Sequence, residues 1–68
     1  MTYDEAIKTK TWLTNINTAI RLEDMSNGHL ISSLKKCERE NWRTRFIPLL
    51  QEELASRGFK QTHPELFL

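Results

Sequence analysis

The sequence predicts a mainly helical α+β fold: a short N-terminal helix, a β-hairpin and two antiparallel amphipathic helices, gathered into a small oligomer. Three observations predict it. Apolar residues recur every three to four positions between Leu30 and Leu54, the period of a helix with one buried face. Between Thr11 and Leu22, β-branched, aromatic and apolar residues alternate instead, the period of a strand. The chain is 68 residues long, and at that length folding hides only about 60% of the surface of the unfolded chain, so the core is marginal.

A marginal core is usually supplemented by disulfides, a structural metal or a partner chain. Cys37 is the lone cysteine, and with His29 and His63 at irregular gaps it does not make a four-ligand zinc site. Self-association is the remaining supplement, and neither metal nor cofactor is expected. No repeat, low-complexity tract or linker interrupts residues 1–68, which read as a single domain with an N-terminal helix over 1–10, a hairpin over 11–22, helix one over 26–40, helix two over 41–58 and a tail over 59–68.

Each element has a local cause. Thr2 and Glu5 fit a capping box before Tyr3, Ala6 and Ile7, which share a face of a helix ending near Lys10. Asn15 and Asn17, which tolerate a left-handed turn, divide the alternating segment into arms near 11–15 and 18–22. Ser26 is a natural N-cap for a helix from about Asn27 to Glu40, whose Leu30, Leu34 and Cys37 form an apolar stripe. His29, Ser33, Lys36 and Glu40 form a polar stripe beside it, an edge able to meet a ligand. Helix two is expected from Asn41 or Thr44 to Arg57, with Trp42, Phe46, Leu49, Leu50 and Leu54 on one face and Gly58 as its stop. Pro48 would break a helix interior, so Trp42 to Ile47 is alternatively a separate turn. The tail bends at Pro64 and ends Leu66-Phe67-Leu68, a pattern expected to strap the core or a partner chain.

Composition narrows the function classes. Ten Lys and Arg against nine Asp and Glu leave a net charge of +1, far from the strongly basic balance of a domain that wraps long nucleic acid. A small anion held by a few local cations fits better. The acidic start from Met1 to Glu5 lacks the regions of a signal peptide, and one cysteine suits a reducing compartment, so a cytoplasmic protein is expected. No apolar run approaches the roughly 20 residues that span a bilayer, and no membrane role is expected. No nucleophile stands beside a base, no glycine-rich loop could cradle phosphate and no metal-spaced cluster occurs, so a binding protein is expected and not an enzyme.

Four groups of residues could carry binding, each beside an ordinary structural explanation. Lys35, Lys36, Arg39, Arg43 and Arg45 gather where the two helices meet, either as a solvated surface or as a phosphate-binding rim beside Trp42. His29, third in its helix, is either a hydrogen-bonded structural histidine or a ligand contact. Trp12 serves either the core or a ligand. Glu53 and Arg57, at i and i+4, fall amid the apolar positions of helix two and read first as an internal pair, second as a ligand-binding arginine.

In order, Trp12-x-Thr14, Asp24-Met25-x-x-x-His29-Leu30, Arg39, Trp42 and Glu53-Leu54-x-x-Arg57-Gly58 resemble a widespread family of short phage-encoded proteins similar to the fourth described class of phage anti-CBASS proteins. The likeness runs from Trp12 to Gly58; it departs at Asn17, where the family has a turn glycine, and in the stretch before Trp12. The resemblance implies a homo-oligomer, with a tetramer favoured, that sequesters cyclic dinucleotide immune signals without degrading them in the cytoplasm of the infected bacterial host. On that view Trp12 or Trp42 stacks a base, Arg39 and Arg43 meet phosphates with Lys36 beside them, and His29 and Thr14 supply hydrogen bonds. The alternative is a small phage accessory protein that inhibits a host protein through its apolar helical face or its Leu66-Phe67-Leu68 tail.

Overall fold

The computed structural model describes residues 2–13 and 19–67. They form a mainly helical α+β fold with one small antiparallel hairpin. Thr2 caps the first helix, α1 (Tyr3–Thr9), its hydroxyl accepting from the amide of Glu5 at 3.2 Å. Lys10, at φ 53°, closes α1 and turns the chain into β1 (Thr11–Leu13), which pairs with β2 (Ala19–Arg21). The register places Thr11 opposite Arg21, Trp12 opposite Ile20 and Leu13 opposite Ala19. The described strands are shorter than the expected arms; residues 14–18, with Thr14, Asn15 and Asn17, lie outside the described residues.

A 3-10 turn (Leu22–Asp24) follows, anchored by the buried Leu22, whose amide donates to the Lys10 carbonyl at 3.0 Å. Ser26 then caps α2 (Asn27–Glu40) by accepting from the His29 amide at 3.2 Å. These are the expected cap and the expected bounds. The helix stops at Asn41, which takes a left-handed conformation at φ 50°, one of the conformations asparagine tolerates best among residues with a Cβ.

Helix two differs from the longer of its two expected forms. Thr44–Phe46 make a separate 3-10 turn, and α3 runs only from Ile47 to Ser56. Pro48 thereby sits in the first turn of α3, where its missing N–H leaves no ladder bond unmade. Arg57 lies just past the end of α3, and Gly58 takes the left-handed φ of 86°, which a side chain would make costly. The tail is helical too: α4 (Phe59–Thr62) and a last 3-10 turn (Pro64–Phe67) bring Leu66 back onto the core, and Gln51 Nε2 donates to the Leu66 carbonyl at 3.1 Å.

The core lies where α2 and α3 pack against each other, closed by α1, Trp12 and Leu66. Leu30, Leu34 and Cys37 from α2 meet Leu50 and Leu54 from α3 and Phe46 from the turn before it, all fully buried. The centre of each apolar stripe is thus covered within the chain, while Leu49 of α3 is half-buried. No helix among the described residues is long and apolar enough to cross a membrane.

Candidate functional site

β1 and α2 border a cleft of about 220 Å³ lined by Trp12, Leu13, His29, Ser32, Ser33, Lys36 and Trp42. Four of these residues, at 29, 32, 33 and 36, share one face of α2 because they step by three and four. Trp42 joins them from the other side of the helix end, since the left-handed turn at Asn41 sends the chain back across α2. The polar stripe of helix one therefore does face a hollow.

The two tryptophans have different jobs. Trp12 is only 5% exposed and packs edge to face against Phe46, with ring centroids 5.0 Å apart, and against Trp42 at 6.0 Å. That burial leaves Trp12 as a wall of the cleft, and an open base platform on it, one of the two expected, is absent. Trp42 is half-buried and carries the remaining aromatic surface.

The cations also divide. Lys36 Nζ stands 4.8 Å from the centroid of the Trp42 ring and is the one cation among the described residues that line the cleft. Arg43, expected to meet phosphate, is committed elsewhere: its guanidinium lies 4.0 Å from the Trp42 centroid and 5.2 Å from that of Trp12, and it donates to the Leu13 carbonyl. It holds β1 to the segment after α2 through a cation–π stack and a charged hydrogen bond. Arg43 does so from a left-handed backbone, φ 49°. Arg39, also expected at phosphate, lies outside the cleft: it pairs with Glu40 at 3.3 Å and borders a separate shallow hollow with Lys35, Glu38, Glu65 and Leu66. Residue 39 follows residues 32 and 36 by seven and three positions and so continues their side of α2 one turn nearer its C-terminus. Thr14 lies outside the described residues.

Ser32 and Leu13 line the cleft but were not among the expected site residues. Ser32 could have been found from its three-residue step after His29. Leu13 carries no such signal, since it contributes through the course of β1 and a backbone carbonyl.

Glu53 and Arg57 are a structural clamp. Arg57 Nε donates to Glu53 at 3.1 Å, Nη1 to Asn27 Oδ1 at 2.8 Å, and Nη2 to the carbonyls of Leu22 and Glu23 at 3.2 Å each. One fork of donors thus ties the end of α3 to the 3-10 turn and the start of α2. The other ion pairs, Lys10 with Glu52 and Arg45 with Asp4 among them, join exposed side chains and contribute little each.

Beneath the cleft, next in sequence to Lys36, Cys37 is fully buried, and loss of solvent raises its thiol pKa, a shift that the nearby Arg43 charge partly offsets. A raised folded-state pKa means the unfolded chain loses the proton first. The thiol's contribution is therefore complete below the ordinary cysteine value of about 8.5 and declines as pH rises above it. Urea unfolding under reducing conditions at pH 8, 9 and 10 is expected to show stability falling more steeply for the native chain than for Cys37→Ala, by up to about 1.4 kcal/mol per pH unit. Parallel pH profiles for the two would refute it.

Among the described residues no group of three or more His, Cys, Asp or Glu is placed to hold a metal ion. Among the described residues, what the cleft offers chemically is the Lys36 cation, the Trp42 ring, an imidazole and serine hydroxyls, with no carboxylate in the lining. No protein-family model, curated protein or solved structure matches the chain.

Proposed function

We propose that the chain is a binding protein without turnover that captures a cyclic oligonucleotide, a cyclic dinucleotide in the first instance, and so blocks a CBASS-type defence of the host of a phage. One observation carries the reading: His29, Lys36 and Trp42 converge on one cleft with no acidic residue among the described residues that line it. A base stacked on an aromatic face with a phosphate near a cation is a recurrent way of holding a nucleotide. At about 220 Å³ the cleft is smaller than the roughly 300–1,000 Å³ of sites that engulf a drug-sized ligand. It suits one base with its phosphate, and a dinucleotide would reach beyond it, which is where an oligomer, a tetramer by preference, would contribute.

The test is calorimetry of the chain with a panel of cyclic dinucleotides and trinucleotides, followed by heating and recovery of the ligand. Stoichiometric binding and intact ligand are expected. Trp42→Ala is expected to weaken binding by about 1–3 kcal/mol, the contribution of a stacked base. The absence of binding across the panel at micromolar ligand would exclude the proposal. A host-protein inhibitor is less well supported, because Leu30, Leu34 and Cys37 of α2, Leu50 and Leu54 of α3 and the tail residue Leu66 are buried in the core, although Leu49 and Phe67 are only half-buried.

A further inference from the structure

The surface that Trp42 keeps toward the cleft is not bare. Lys36 Nζ stands over the ring at 4.8 Å from its centroid, the Arg43 guanidinium at 4.0 Å, and Trp12 meets it edge to face at 6.0 Å. A base stacked on the ring would bring its own centroid to about 4.5–7 Å, into the space these groups hold. One of them must move, and they are not equally free. Trp12 is buried in the core, and Arg43 is tied to the Leu13 carbonyl. Lys36 is half-buried, takes part in no ion pair among the described residues, and carries its charge on a flexible stem.

We infer that Lys36 is a movable cover of Trp42 that makes phosphate a condition of base stacking, and so discriminates a nucleotide from its nucleoside or free base; this rests on the nucleotide reading above and adds the residue that sets its specificity. An uncharged base that takes the ring must displace the ammonium and returns nothing for the lost cation–π contact. A nucleotide brings its phosphate into the same cleft, where the displaced ammonium donates a charge-assisted hydrogen bond to it. A ligand shifts such an equilibrium only by the difference in how it binds the two states. The phosphate therefore draws the side chain off the ring, while a nucleoside works against it. Arg43 does not serve as the cover, because moving it would also break its bond to β1; its charge, which the neutral Leu13 carbonyl leaves uncompensated, adds to the attraction for phosphate.

The experiment titrates the full chain by NMR, followed on the indole N–H signals, with two classes of probe: the cyclic dinucleotides of adenine and guanine, and the nucleosides adenosine and guanosine. Lys36→Ala, which removes cover and charge together, is expected to change the two affinities in opposite directions. Nucleosides bind about fivefold more tightly, the cation–π contact no longer opposing them, and cyclic dinucleotides about tenfold more weakly, for want of the charged hydrogen bond. In the native chain the ε-methylene protons of Lys36, shifted upfield by the ring current of Trp42, are expected to return toward ordinary lysine positions when a cyclic dinucleotide is added. Nucleosides that bind Lys36→Ala no more tightly than the native chain, cyclic dinucleotides that bind it equally well, or Lys36 protons that keep their upfield shift in the cyclic dinucleotide complex overturn the cover while the nucleotide reading stands. Failure of the cyclic dinucleotides to bind the native chain removes the nucleotide reading and this specificity together.

Discussion

Phe46→Ala is expected to leave the chain largely unfolded at room temperature. Phe46 is fully buried, with its ring 5.0 Å from that of Trp12 and 5.5 Å from that of Tyr3, both edge to face. Its ring contacts tie α1 and β1 to the turn before α3. Truncating a buried phenylalanine costs about 3–5 kcal/mol, the lost transfer energy plus the cavity. A 68-residue domain has a total stability of only about 3–10 kcal/mol, so one truncation removes most of it. Phe46→Leu keeps much of the volume and is expected to cost less than about 1.5 kcal/mol. Urea denaturation followed by far-ultraviolet circular dichroism checks both; a Phe46→Ala chain within 1 kcal/mol of the native one, by the same scale, would show that the aromatic cluster is not what closes the core.

Arg57→Ala is the second large effect. Its side chain is 21% exposed and that of Glu53 24%, so the pair is screened in part, and the 3–5 kcal/mol typical of breaking a fully buried pair is reduced to about 2–3 kcal/mol. Lysine does not rescue the site, because a single ammonium cannot reach Glu53, Asn27 and two backbone carbonyls at once. Glu53→Gln is expected to cost only about 1 kcal/mol, since three of the four partners of Arg57 are neutral oxygens that remain. A double-mutant cycle on Glu53 and Arg57 measures this directly. A cycle in which the coupling equals the whole effect of Arg57→Ala would mean that the contacts to Asn27, Leu22 and Glu23 contribute nothing.

The elements most legible in the sequence are those set by local physics. Ser26, the Leu30-Leu34-Cys37 stripe and the end at Glu40 define α2 because a cap and a helical period act over a few residues. The polar stripe of His29, Ser33, Lys36 and Glu40 was legible for the same reason; its first three members line the cleft and Glu40 does not. Pro48 was ambiguous because a proline forbids a helix interior but suits a helix start, and only the position of the chain after Asn41 chooses between them.

The cations were the least legible part of the site. Lys36, Arg39 and Arg43 look equivalent as residue types. One lines the cleft, one pairs with Glu40 and borders a separate hollow, and one is stacked on Trp42 and bonded to a carbonyl of β1. Trp12 and Trp42 are likewise equal in sequence, yet one is buried and the other half-exposed.

By itself, then, the sequence determined the mainly helical α+β class, the capped α2, the apolar stripes of the core and the polar edge beside them, since each depends on neighbours within one or two turns. Only the tertiary structure decided which cation faces the cleft, which tryptophan keeps an open surface, and that Arg57 binds the carbonyls of Leu22 and Glu23. Those outcomes depend on backbone carbonyls and ring faces brought together from about thirty residues apart, and a carbonyl is present at every position, so no residue type announces it.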